Sequence, residues 1–182
     1  MSSNNQTSQY TNIDEVPLIQ SLTINEKHRV IVDGSPLNLI LRNVYMASGI
    51  THMVSDTYNF YSGKILMSDM DKLNLDQLNE QIYEQIGTKD DFTYKSFVIT
   101  EEYNEKEYHS INPRIIANNT ICFNNKKVSM EVDEFITKYK KRIHCDVLLS
   151  PVYYEYAEGK IYGFKLYLNQ IKINIDNTAC VL

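Results

Sequence analysis

The chain has 182 residues, a formal net charge of −5 at pH 7, three cysteines and no tryptophan. This length predicts one domain that buries enough surface to fold without disulfides or a metal. The odd number of cysteines and the absence of a CxxC spacing argue against a disulfide framework and favour a reducing compartment. With no basic leader and no apolar run of about 20 residues, the sequence predicts an intracellular protein that is neither secreted nor inserted in a membrane.

The chain begins with a polar segment. Residues 1–15 lack apolar periodicity, which predicts a disordered arm, and we expect 16–182 to form a single β domain. Two apolar runs, 21–32 and 37–46, are separated by the turn-forming residues Asp33-Gly34-Ser35-Pro36. This arrangement predicts a hairpin.

The next segment contains the clearest helix. Residues 46–61 carry an aromatic cluster and are either a loop that closes over a ligand or a crossover; a short strand is predicted at 64–67. Asn74 is a suitable N-cap because Gln77 follows three residues later. Leucine and isoleucine then recur at helical spacing, which predicts a helix that ends at Gly87.

The second half is expected to consist mostly of strands. Residues 94–100 and 111–123 are predicted strands, with an acidic loop at 101–109 between them. Ser129 is a candidate N-cap for a second helix, whose first turn is acidic. The two terminal runs, which predict a long hairpin, are 143–156 and 160–175.

The last strand alternates along its length. Apolar side chains occupy every second position, so Lys165 and Tyr167 are expected on the opposite face. The pattern slips by one residue near Asn169, which predicts a bulge that keeps Leu168 and Ile171 on the same side. Tyrosines interleaved with lysines on one sheet face suit the stacking of unpaired bases. An ordinary half-buried antiparallel strand alternates in the same way, so this pattern leaves both interpretations open.

Charge is distributed unevenly along the chain. Residues 1–91 contain six Lys or Arg against twelve Asp or Glu, whereas 92–182 contain twelve against eleven. Within 112–142 the count is seven basic to three acidic residues, which predicts a local basic patch on an acidic protein. The alternative is that the lysines near the end of this segment only complement the dipole of a helix C-terminus.

The sequence contains no recognised catalytic motif. It has no phosphate-binding glycine loop, no HExxH and no GxSxG. The four histidines lack the spacing of metal ligands, so we expect no metal or other cofactor. His144 and Cys145 are adjacent, but neighbouring side chains in a strand point to opposite faces and cannot act as a pair. The sequence therefore predicts a protein that is not an enzyme.

The order of elements predicts a mainly β fold with two helices, closed either as an OB-fold-like five-stranded barrel with elaborations or as a β-sandwich. The run 153–173 has a glycine, Gly163, before an alternating leucine and aromatic strand that ends in an apolar-polar-apolar run. This run resembles the closing strands of OB-fold single-stranded-DNA-binding proteins of phages and large DNA viruses. The resemblance favours the barrel.

The same resemblance implies a non-catalytic protein that binds single-stranded DNA in viral or phage DNA replication or recombination. Homo-oligomerisation and contacts with replication proteins are further expectations. Bases would stack on tyrosines, and lysines would neutralise the phosphates. The candidate stacking residues are Tyr153, Tyr154, Tyr156 and Tyr167. The candidate phosphate-binding residues are Lys126, Lys127, Lys138, Lys140, Lys141, Lys160 and Lys165.

Two other functions fit the same sequence. A virion structural or assembly protein with a β-sandwich fold would use the tyrosines at a protein interface, where this residue is also enriched. A host-factor-binding protein would use the acidic N-terminal half. Salt separates the DNA hypothesis from the structural one, because DNA binding weakens steeply as salt rises and an apolar interface does not.

Overall fold

The computed structural model describes residues 10–12, 16, 18–47, 50–56, 58–139 and 143–175. Within them the fold is mainly β with two helices, as the sequence predicts. The strands are β1 (Tyr10–Asn12), β2 (Leu22–Ile24), β3 (Val30–Val32), β4 (Ser35–Pro36), β5 (Asn38–Met46), β6 (Thr51–Ser55), β7 (Tyr58–Ser62), β8 (Ile65–Leu66), β9 (Thr93–Lys95), β10 (Ile99–Tyr103), β11 (Lys106–Ile111), β12 (Arg114–Ile115), β13 (Ile121–Phe123), β14 (Ser129–Met130), β15 (Ile143–Tyr156) and β16 (Ile161–Ile175). The helices are α1 (Asp69–Ile86) and α2 (Val132–Lys138).

One large sheet dominates the architecture. Its main path runs β10-β11-β8-β5-β15-β16-β12-β7-β6, and β1, β9, β13 and β14 attach beside that path. The sheet curls into a half-barrel, which is consistent with an OB-fold-like barrel with elaborations. A β-sandwich would instead require two sheets of comparable size packed face to face. The second sheet that the described residues form is small, β2-β3-β4.

The terminal hairpin forms the centre of this sheet. β15 and β16 pair antiparallel along almost their whole length, as predicted. The pairing moves from Leu148 opposite Gln170 to Leu149 opposite Leu168, so Asn169 is the extra residue of a bulge. Leu168 and Ile171 on either side of the bulge are 2% and 1% exposed. The predicted phase slip is therefore confirmed, and it keeps one continuous apolar face against the core.

The first helix starts earlier than its apolar periodicity indicates. Ser68, and not Asn74, is the N-cap: its hydroxyl accepts a hydrogen bond from the Asp71 backbone, and the Asp71 carboxylate accepts one from the Ser68 backbone nitrogen. The end at Gly87 is confirmed, with φ of 79° at that residue. α1 packs Leu75, Leu78 and Ile82 into the core. No helix in the described part of the chain has the length and apolarity of a membrane span.

The second helix also starts at a different residue. Ser129 belongs to β14, where it pairs with Phe123, and the N-cap of α2 is Glu131, which makes no side-chain capping bond. The prediction that Ser129 caps this helix is therefore wrong. Packing of the buried Val132 and Phe135, rather than a cap, stabilises this short helix.

Three other segments differ from their predicted assignments. The predicted acidic loop 101–109 lies in the β10–β11 hairpin, and 46–61 includes the β6–β7 hairpin. Three residues of the predicted arm, Tyr10–Asn12, pair in parallel with β5. The other residues of the arm, 1–9 and 13–15, lie outside the described residues. In each case the segment forms hydrogen bonds with another strand, and the local composition of a segment does not show that such a partner is available.

Candidate nucleic-acid interface

The outward face of the terminal hairpin collects the candidate residues. Directly opposite residues of paired strands point to the same side of a sheet, and so do every second residue of one strand. Tyr154 lies opposite Gly163, and two residues further along β16 Lys165 lies opposite Val152. Tyr167 comes two residues after Lys165. Tyr154, Lys165 and Tyr167 therefore share one face, which Tyr156 also joins.

Lys165 lies beside two neighbouring tyrosine rings on this face. Its Nζ is 4.5 Å from the ring centroids of both Tyr154 and Tyr156, and it donates a hydrogen bond to the Tyr156 hydroxyl. The two rings are 5.3 Å apart at 50°. The hydrogen bond from Lys165 lowers the pKa of Tyr156, whereas partial burial raises the pKa of Tyr154. A cation is thus held beside two aromatic surfaces.

Two residues that the sequence analysis did not select complete the cluster. Arg114 of β12 pairs with Tyr167 on one side and with Ser62 of β7 on the other, so it points to the same face. Its guanidinium carbon lies 4.3 Å from the Phe60 ring centroid. We call Phe60, Arg114, Tyr154, Tyr156 and Lys165 the aromatic–basic face. Phe60 belongs to the aromatic cluster in 46–61, and Arg114 belongs to the basic segment 112–142. The sequence therefore indicated the residue type that each contributes but not that the two meet.

A cleft of about 480 Å³ borders this face. Lys64, Arg114 and Lys165 contribute its positive charge, and Met53 and Phe60 contribute apolar surface. Lys64 forms an ion pair with Glu101 of the β10–β11 hairpin, so its charge is partly neutralised at the rim. The cleft therefore offers cations and aromatic surface to an extended anionic ligand.

Tyr153 lies apart from the other predicted tyrosines. It sits opposite Phe164, with the ring centroids 5.8 Å apart, and it packs against the core. Its hydroxyl donates to Glu155 at 2.9 Å, and Lys89 Nζ is 5.5 Å from its ring centroid. Burial raises the pKa of Tyr153. This tyrosine is on the opposite side of β15 from Tyr154, so it is not part of the aromatic–basic face.

Four other predicted lysines, which the structure describes, do not join Lys165. Lys160 in the β15–β16 turn pairs with Asp91 at 3.3 Å, and Lys138 at the end of α2 lies 5.4 Å from the Tyr139 ring centroid. Lys126 and Lys127 occupy the β13–β14 turn, which the Asn124 side chain stabilises by accepting two backbone hydrogen bonds. The two lysines that lie outside the described residues are Lys140 and Lys141.

Two free cysteines, Cys122 and Cys145, are buried in the described part of the chain. Burial raises the pKa of Cys122 and of Cys145 to about 12, so both are protonated thiols at neutral pH. His144 precedes Cys145 within β15, and its ring lies 5.0 Å from that of Tyr45. The adjacent His144 and Cys145 therefore form no catalytic pair.

The fold is that of phage single-stranded-DNA-binding proteins, although no protein-family model and no curated protein matches the sequence. The single-stranded DNA-binding protein from bacteriophage Enc34, solved in complex with ssDNA, is similar with a TM-score of 0.60 and 14% identity, over 86% of this chain and 96% of that chain. The single-stranded DNA-binding protein gp2.5 of bacteriophage T7 is similar with a TM-score of 0.51 and 11% identity, over 79% and 97%. These likenesses establish the fold alone.

Proposed function

We propose that this chain is a non-catalytic single-stranded-DNA-binding protein that acts in phage or viral DNA replication or recombination. The observation that carries the proposal is Lys165, held against the rings of Tyr154 and Tyr156 on the outward face of the sheet. The fold supports it, because the structurally similar Enc34 protein was solved with ssDNA bound. Replication partners and homo-oligomerisation stay predictions.

The face suits a single strand for two reasons. Bases that are unpaired expose their rings, and Tyr154, Tyr156 and Phe60 offer aromatic surfaces on which such bases can stack. Arg114 and Lys165 lie among these rings, so each can neutralise a phosphate of the strand that carries the stacked bases. A duplex keeps its bases stacked on one another and offers only its backbone to this face.

Fluorescence anisotropy of a labelled oligo-dT, titrated at several salt concentrations with duplex DNA as competitor, tests the proposal. We expect binding that weakens with salt and that an equal length of duplex does not displace. Salt-insensitive binding, efficient displacement by duplex, or no binding at low salt would each contradict the proposed function.

Variants identify the surface. Tyr154→Ala should weaken binding by about 1 to 3 kcal/mol, the usual worth of one stacked base. Lys165→Gln should weaken it and reduce the slope of log K against log salt by about 0.7, the value for one phosphate on a single strand. Tyr103→Ala and Lys106→Gln are matched controls on the β10–β11 hairpin, where Tyr103 is 68% exposed. If the control variants weaken DNA binding as much as Tyr154→Ala and Lys165→Gln do, the aromatic–basic face is not the DNA-binding surface.

A further inference from the structure

A second cavity, of about 540 Å³, lies on the same sheet around Tyr167. Lys27 and Arg29, from the loop between β2 and β3, line one side of it, and Asn119, Ser150 and Asn169 line the rest. Neither Lys27 nor Arg29 forms an ion pair with any described residue. The cavity therefore combines an aromatic ring with two cations that form no ion pair within the described part of the chain.

Strand register connects this cavity to the aromatic–basic face. Arg29 forms an isolated antiparallel bridge with Val152, and Val152 lies opposite Lys165. Arg29, Val152 and Lys165 consequently form one row, in which the backbones of Arg29 and Lys165 are about 10 Å apart, twice the spacing of neighbouring strands. In the next row Tyr167 lies beside Arg114. Cations and aromatic rings thus extend across the sheet from Tyr156 to Arg29, with Val152 between Lys165 and Arg29.

The walls of the cavity are held in place before any ligand binds. The Asn25 side chain accepts hydrogen bonds from the backbone nitrogens of Lys27 and Arg29, both at 3.0 Å, so one turn presents both cations. Ser150, which is 8% exposed, donates to Asn38 at 2.6 Å and accepts from Asn169. A polar network that is satisfied internally gives a rigid floor beneath Tyr167.

We propose that this cavity is a nucleotide subsite, in which Lys27 and Arg29 bind a phosphate of single-stranded DNA and Tyr167 stacks the adjoining base. The inference rests on the proposed function and extends it, because it places the end of the DNA track on the loop before β3. That loop belongs to the acidic half of the sequence, in which no phosphate-binding residue was predicted.

A tryptophan reporter tests the subsite directly, since the chain has no tryptophan of its own. Tyr167→Trp places a single indole in the cavity, and Tyr154→Trp places one on the aromatic–basic face as a matched reporter. Each is titrated with oligo-dT of about 16 nucleotides, the upper site size for one OB fold, and binding is followed independently by anisotropy. We expect the fluorescence of both reporters to be quenched on binding, because bases stack on both indoles.

The same titrations are repeated with Lys27→Gln and Arg29→Gln added. We expect the Tyr167→Trp reporter to lose its quenching and the Tyr154→Trp reporter to keep it. The slope of log K against log salt should fall by about 0.7, the value for the one phosphate that Lys27 and Arg29 share. Lys106→Gln with Arg42→Gln removes the same two charges from β11 and β5 and should change neither reporter.

The outcomes separate the two proposals. No binding by anisotropy refutes the proposed function and this inference with it. Saturated binding that quenches position 154 but not position 167 overturns only the subsite, as does quenching at 167 that survives the loss of Lys27 and Arg29. Circular dichroism of each variant verifies that it is folded, and the exposed cations at 27 and 29 can be removed without opening the core.

Discussion

Gly163 is the position at which a single methyl group should do most damage. β9 pairs in parallel with β16, and Lys95 lies directly beside Gly163. A Cβ at Gly163 would lie 2.4 Å from the Lys95 carbonyl oxygen, whereas 3.4 Å is an ordinary contact. The backbone oxygen cannot rotate away, so Gly163→Ala must push β9 outward by about 1 Å. The close approach of β9 thus explains why a glycine occupies position 163.

The cost follows from overpacking. Forcing one extra methyl group against backbone in a packed sheet costs about 1 to 3 kcal/mol. In a domain of this length each kcal/mol lowers the melting temperature by about 2 to 4 °C, so Gly163→Ala should lose roughly 2 to 12 °C. Tyr94 of β9 should also move, since its ring packs 5.3 Å from that of Tyr162.

Thermal unfolding followed by circular dichroism measures this loss. Gly159→Ala is the matched control, because its Cβ would meet only the Ile161 side chain at 3.4 Å and its backbone is compatible with alanine. We expect Gly159→Ala to change stability little or to raise it slightly. If both variants melt at the same temperature, the close approach of β9 to Gly163 is not a constraint and the reasoning fails.

Two further predictions concern charge. Glu101→Gln should free Lys64 to bind a phosphate, which raises oligo-dT affinity at low salt and steepens the slope of log K against log salt by about 0.7. Glu102→Gln makes the same change in net charge and should have neither effect. Equal effects of the two variants would show that net charge, and not the Lys64–Glu101 ion pair, controls binding. Burial raises the pKa of Asp146, but hydrogen bonds from Asn174 and neighbouring groups lower it overall. Its stabilisation is present above the ordinary carboxyl value of about 4 and is lost as pH falls through the lower folded value. Urea unfolding should therefore show a smaller acid loss for Asp146→Asn than for the wild type.

Helices and strands were predictable from the sequence where the spacing of their apolar residues matches the face that they bury. The alternation of β16, its bulge at Asn169 and the end of α1 at Gly87 follow from strand and helix periods that any buried face imposes. The start of α1 was missed because its first turns expose Met70 and Leu73, 63% and 51% respectively. Apolar periodicity begins only where the helix meets the core, so the capping box at Ser68 carried the signal instead.

The candidate site was predictable only in part. Tyr154, Tyr156, Tyr167 and Lys165 lie on one hairpin, so their shared face can be worked out from alternation and pairing. Tyr153 was selected with them on composition, although the same alternation places it on the opposite side of β15 from Tyr154 and Tyr156.

Sequence by itself thus determined the elements whose partners are near neighbours: the terminal hairpin, its polar and apolar faces and the mainly β class. Tertiary structure decided which distant segments complete the face. Phe60 and Arg114 reach Lys165 because β7 and β12 take a particular register against β16. Register between strands far apart in sequence depends on the packing of the whole sheet, and a pattern with a period of two residues is the same for every pairing that keeps the apolar side buried.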